Sequence, residues 1–288
     1  MMAVRTACLL CLALILAVLP VFAEETDDSA ARARVAAYAQ QVHDYTWTLP
    51  EEIGPLLVYN KGYVPGTNGN RLVFAGRQPY VVIGKVRGVP YSLAAYGNGK
   101  ETTFEQYCQL TPEQRGALST IYDYRDNGKR ISMRYGMSCA TFLSECLKQG
   151  FPDEDLPIEH GVNTLIAEPA WKRHFVFGKH GRKDYPDLQT GDFIRCRTHA
   201  MLVMENDPEN RRLLLMEQTP PDYAVENCEN LTDVTVTLVH RDKPTTLEAK
   251  RLCMECDACL KATTGTYLHW EEYDVLGDAQ YTAVFVKY

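Results

Sequence analysis

The sequence lacks a long apolar run, an excess of basic residues, internal repeats and low-complexity stretches. Its longest apolar run, Ala7–Val21, is broken late by Pro20 and falls short of the roughly 20 residues that span a bilayer. A multi-span membrane protein is therefore excluded. Lys and Arg number 30 against 37 Asp and Glu, a formal charge of −7, which is the wrong sign for binding nucleic acid. With 45% apolar and 23% charged residues the composition is that of an ordinary globular protein, neither disordered nor collagen-like. No shift in composition marks a domain boundary.

What is there begins with an export signal. Arg5 precedes the apolar run, small Ala23 follows it, and the chain then turns acidic, so residues 1–23 read as a signal peptide cleaved after Ala23. The expected mature chain is exported, with no integral membrane span. Eight cysteines follow: Cys108, Cys139, Cys146, Cys196, Cys228, Cys253, Cys256 and Cys259. Outside the cytoplasm the default expectation for them is disulfide pairing. The short spacings of Cys253, Cys256 and Cys259, with Cys228 upstream, also suit a four-thiolate zinc site, the weaker of the two readings. Asn230-Leu231-Thr232 is a glycosylation sequon, informative only in a eukaryotic source.

Hydrophobic periodicity predicts helices early and strands late. Ala31, Val35, Tyr38 and Val42 fall at helical spacing, with Asp28 or Ser29 able to cap the first turn. Between Thr48 and Gly99 short runs such as PLLVY, RLVFAG and PYVVIG alternate with Pro and Gly, which predicts short strands and loops. Thr102 or Thr103 can cap a short helix through Cys108, and Thr111-Pro112-Glu113-Gln114 is another helix start. FIRCR, HAMLVME, RRLLLME, DVTVTLVH and YTAVFVKY then predict an antiparallel sheet. That order is the signature of an α+β fold with helices packed on a central antiparallel sheet.

Chemistry concentrates in two stretches. In the first, Ser138 is a natural N-cap, Phe142, Leu143, Cys146 and Leu147 share one helical face, and Gly150 is a stop. Cys139 therefore sits at a helix N-terminus, where unpaired amides and the positive end of the helix dipole favour a thiolate and can hold an oxyanion. Cys146, two turns on, belongs to the core. In the second, Gly191-Asp192 turns into a run that carries His199, an imidazole either buried with a partner or aimed at a cleft. His43, His160, His174, His180, His240 and His269 lie in settings that suggest no chemistry; His43 ends a surface helix and His160 belongs to a polar loop. The acidic stretch GFPDEDLPIE reads as a solvated loop.

A Cys–His pair needs a third group to orient the imidazole. The hairpin through Asn206–Asn210 returns Glu217 to the vicinity of His199. Gln218 points to the opposite face of a regular strand and serves only if a bulge intervenes.

A Cys at a helix start, a Gly-Asp turn before a His-bearing strand and a polar end to the next strand resemble the NlpC-type papain-like cysteine peptidases, bacterial cell-wall hydrolases. Ser138-Cys139-Ala140-Thr141-Phe142-Leu143 stands where that family has Asp-Cys-Ser-Gly-Phe-Val. Thr190-Gly191-Asp192-Phe193 and His199-Ala200-Met201-Leu202 are similar to its Pro-Gly-Asp-Leu and His-Val-Gly-Ile. Met216-Glu217-Gln218-Thr219 departs from the family's second His and is more similar to the Glu-Gln-Asn of the related CHAP amidase/peptidase domains.

The resemblance implies a papain-like NlpC-type fold, with an N-terminal elaboration at 24–80, a catalytic core at 81–218, and C-terminal strands with a Cys-rich insertion at 219–288. It implies a Cys139–His199–Glu217 triad, a thiol peptidase or amidase acting on peptidoglycan stem peptides, and neither cofactor nor metal. The bond would be a γ-glutamyl to diamino-acid amide or the amide joining peptide to glycan. Gly88-Val89-Pro90-Tyr91-Ser92-Leu93 is similar to the family segment that sets a Tyr beside the nucleophile, so Tyr91 joins Gln218 as an oxyanion or substrate-binding candidate. Tyr91 precedes Cys139 by 48 residues, which requires an insertion. The departures at positions 138, 140 and 141 also suit a secreted binding module that keeps the fold without catalysis.

Overall fold

The computed structural model describes residues 27–50, 56–58, 63–65, 72–74, 80–92, 100–115, 120–123, 130–133, 135–177, 182–196, 199–218, 230–240, 243–251, 264–269 and 281–288. The apolar run, Cys228 and the Cys253–Cys259 cluster lie outside the described residues, and so do the sequence expectations that fall on them.

The N-terminal elements are helix α1 (Asp27–Asp44) and strands β1 (Thr46–Leu49), β2 (Leu56–Val58), β3 (Tyr63–Pro65), β4 (Leu72–Phe74), β5 (Tyr80–Val82), β6 (Gly84–Arg87) and β7 (Lys100–Glu101). Next come α2 (Phe104–Cys108), α3 (Pro112–Arg115), β8 (Thr120–Asp123), β9 (Arg130–Met133), β10 (Tyr135–Gly136) and α4 (Cys139–Lys148). After these follow α5 (Val162–Ala167), α6 (Pro169–Lys172), β11 (Phe175–Val176), a 3-10 turn (Arg182–Asp187), β12 (Phe193–Arg195), β13 (Ala200–Asp207) and β14 (Arg212–Glu217). The last strands are β15 (Thr232–His240), β16 (Lys243–Arg251), β17 (Thr264–His269) and β18 (Thr282–Val286). The class is α+β.

The largest sheet has six strands in the order β11-β18-β12-β13-β14-β17, all paired antiparallel. Strand alternation sorts its side chains into two cores. Phe193, Ala200, Leu202, Met216 and Val284 face α4, α1 and Trp171, whereas Ile194, Met201, Val203, Leu215 and Ala283 face Tyr185 and Leu188. Helix α4 lies against the first face with every residue from Cys139 to Leu147 buried, Cys146 among them. Ala31, Val35, Ala39 and Val42 line the buried side of α1. Their spacing of three to four residues is why this segment docks as a helix. The strands from the end of the chain, β17 and β18, belong to this sheet, so its assembly extends well past residue 218.

The Gly191-Asp192 turn is held from three sides. Asp192 is buried and accepts from Gln189 N–H at 2.8 Å, Val286 N–H at 2.9 Å and Arg32 Nη1 at 3.0 Å. Arg32 also donates to the carbonyls of Thr190 and Val286. Gly191 has φ +89°, which favours glycine at this turn. These bonds tie α1, the turn and β18 together and fix where β12 begins.

Two sequence expectations change. His43 is buried, with Nε2 2.6 Å from Arg87 Nη2, because the end of α1 turns inward against β6 instead of lying on the surface. Disulfide pairing does not reach Cys108, Cys139, Cys146 or Cys196.

Candidate functional site

Helix α4 starts where the sequence places it. Ser138, in extended conformation, caps it by accepting from Thr141 N–H. Cys139 occupies the first helical position, where the earliest N–H groups have no acceptor within the helix. It is buried, at 4% exposure, and forms no disulfide.

The lead-in to the helix is pinned between two backbone segments. Met137 N–H donates to Pro90 C=O and Ser92 N–H donates to Met137 C=O, both at 3.0 Å, which makes a parallel bridge between Tyr91 and Met137. On its other side β10 pairs in parallel with β7, setting Gly136 opposite Glu101. Gly136 has φ +154°, and a Cβ there would lie 2.2 Å from the Pro90 carbonyl oxygen. Only glycine lets the strands close this tightly. The 48-residue separation between Tyr91 and Cys139 thus shrinks to a bridge two residues from the sulfur.

His199 ends the tight connection between β12 and β13, where Cys196 N–H donates to the His199 carbonyl at 2.8 Å. It stands just before β13 instead of within a strand. Its Nε2 is hydrogen-bonded to Glu217 Oε2 at the end of β14. That bond leaves Nδ1 for Cys139. Burial alone would push the imidazole down. Hydrogen bonds to Cys139 and Glu217, with their negative charges, overcome it and hold the ring well above its ordinary value. The arrangement favours the protonated form of the ring.

Gln218 turns the other way, as strand alternation requires. It is fully buried, and its Nε2 donates to the Val89 carbonyl at 2.6 Å, two residues before Tyr91. Glu217 therefore orients the imidazole while Gln218 anchors the segment that carries Tyr91. The one irregularity in the β13–β14 pairing lies between Val203 and Glu205, away from this end of the strands. Cys139, His199 and Glu217 are in one chain of contacts, and Tyr91 stands on the neighbouring segment that Gln218 anchors. Among the described residues no group of three or more His, Cys, Asp or Glu side chains could hold a metal ion, and no helix is long and apolar enough to cross a membrane.

Two residues at the same helix tip escape sequence reasoning. Glu101 accepts from Ser138 Oγ at 2.7 Å, and His160 Nδ1 lies 2.9 Å from the same carboxylate oxygen. His160 is thus not an idle loop residue. The loop at 151–160 runs back along α4, where Lys148 Nζ donates to the Leu156 carbonyl and Glu159 N–H to Ser144 Oγ, and this delivers His160 to the tip. Nothing local signals a partner 59 residues away.

A second feature lies along the side of α4. Glu145 accepts from Phe104 N–H at 3.0 Å and from the Tyr38 hydroxyl at 3.2 Å, and burial pushes its carboxyl up to about 7 against both bonds. It borders a cavity of about 510 Å³ shared with Tyr38, Cys108 and Lys148.

No protein-family model, no curated protein and no solved structure matches this chain.

Proposed function

We propose that the chain is an exported cysteine hydrolase of the papain-like NlpC type that cleaves amide bonds in peptidoglycan stem peptides. The observation that supports this most is the contact of one imidazole with both a reduced cysteine at a helix N-terminus and a carboxylate. A structural cysteine needs no such partners. A nucleophile does.

In the proposed reaction Cys139 Sγ attacks the amide carbonyl carbon, and the resulting oxyanion rests on the Cys139 N–H, with Tyr91 as second donor. The C–N bond breaks as the His199 imidazolium gives its proton to the leaving amine. A water molecule, losing a proton to the now neutral His199, attacks the thioester; the acid leaves and the thiol is restored. Glu217 holds the ring through Nε2, so that Nδ1 faces the sulfur throughout.

Purified mature protein incubated with peptidoglycan fragments is expected to generate new amine termini, read by mass spectrometry. Iodoacetamide should label Cys139 and stop their formation together. Retention of wall-lytic activity by protein alkylated at Cys139 would remove the proposal.

A further inference from the structure

The tip of α4 carries a second imidazole–carboxylate pair that the reaction above leaves unused. Glu101 reaches it from β7, with a side chain 2% exposed. One of its oxygens, Oε2, accepts from Ser138 Oγ, from Thr141 Oγ1 and from His160 Nδ1. Three donors on one oxygen fit an ionised carboxylate. They also fix the imidazole, because an ionised Glu101 calls for a hydrogen on Nδ1, which lies 2.9 Å from Oε2 and 3.0 Å from Thr141 Oγ1. The rest of the ring is turned out, since the side chain is 57% exposed. Among the described residues, no hydrogen bond to Nε2 of His160 is found.

Such a pair contributes little to stability, because half of it stands in water. Its geometry is nonetheless over-determined, with a surface imidazole held by Glu101 from β7 and by Thr141 on the helix that bears Cys139. The chain carries a formal charge of −7, so an anionic substrate meets general repulsion and needs a local cationic donor.

We propose that His160, oriented by Glu101, forms an anion subsite whose Nε2 edge receives a carboxylate of the substrate across the helix tip from Cys139. The inference rests on the hydrolase reading and extends it to substrate choice. Cys139 and Thr141 are two positions apart in the first turn, so their Cα atoms are about 5.4 Å apart and their side chains diverge by about 200° around the axis. A γ-glutamyl substrate lying over the tip can set its acyl carbon at the sulfur and turn its own α-carboxylate, four bonds and about 5 Å away when extended, toward His160. The bond to Glu101 strengthens the ring's hold on a proton against partial burial, and the charges of Glu101 and Glu159 add to it.

The test uses the Cys139→Ala protein, which binds without turnover, and two probes measured by calorimetry. Both are N-acetyl-γ-glutamyl-lysine amide, one with the glutamyl α-carboxylate free and one with it as a primary amide. The free acid is expected to bind about tenfold tighter, and in His160→Gln or His160→Asn the two affinities should converge. Melting temperatures matched to the parent protein separate this from misfolding. Equal affinities in the parent, or a preference that survives both variants, would overturn the subsite. A preserved preference in a wild-type protein that cleaves neither probe would sink the hydrolase reading and leave the subsite standing.

Discussion

The two imidazole–carboxylate pairs at the tip of α4 are built the opposite way round. In one, His199 and Glu217 are equally sheltered, each with 19% of its side chain exposed, and the imidazole spans from the carboxylate to the Cys139 sulfur. In the other, Glu101 is buried and His160 stands outside at 57%. Shelter decides what each ring can do. A sheltered imidazole bonded to both Cys139 and Glu217 is held toward its protonated form, which in the proposed reaction supplies the proton for the leaving amine. An exposed one with its inner nitrogen occupied offers only its outer edge, and that edge suits binding.

The largest effect should come from breaking the sheltered pair. His199→Ala is expected to lower kcat/KM by 10³-fold or more in the fragment assay, whereas His160→Ala should cost about tenfold or less. Equal losses would erase the distinction between the two sites. Glu217→Gln should come next, at about 10²-fold or more, because an amide neither fixes the tautomer nor supports the imidazolium. Its signature is a downward shift of the His199 pKa, measurable by NMR of the ring.

Gly136→Ala tests the scaffold that both pairs share. A methyl group 2.2 Å from the Pro90 carbonyl forces the Tyr91 bridge and the β7 pairing apart, at about 1–3 kcal/mol of stability. Denaturant melts should show that loss, and alkylation of Cys139 should slow alongside it.

The smallest effect on activity is expected from a group away from both pairs, and it shows in the pH dependence of stability. The Glu145 carboxyl rises from an ordinary 4.5 to about 7 in the fold because burial disfavours its charge. The unfolded chain gives up that proton first, so stability should fall as pH rises from about 4.5 to 7 and level off above. The total is on the order of 3 kcal/mol. Glu145→Gln should flatten this decline in melts between pH 5 and 8. A wild-type curve without it would show that water reaches the carboxyl through the adjoining cavity.

Much of the fold is legible locally. Helical spacing in α1, the capping signals at Thr103 and Ser138, and the β-rich runs of β12, β13, β14 and β18 all stand where periodicity and turn chemistry put them. Strands β8, β9, β16 and β17 went unread, because their alternation is mixed with charged and hydroxyl residues. His199 was legible as a candidate since a lone imidazole in an apolar setting demands a partner. His160 and Glu101 were not, because a histidine in a polar loop and a glutamate in a two-residue strand carry no local mark of the contact between them.

By itself, the sequence determined which residue opens helix α4, which strand ends beside His199, and that Glu217 and Gln218 must face opposite ways. Those are consequences of local periods, a 3.6-residue helix and a two-residue strand. Only the tertiary structure decided that β18 enters the sheet between β11 and β12, that Pro90–Ser92 closes on Met137, and that Glu101 and His160 share the helix tip. Such pairings depend on which burial and hydrogen-bonding groups find each other across dozens of residues, and no local period encodes that choice.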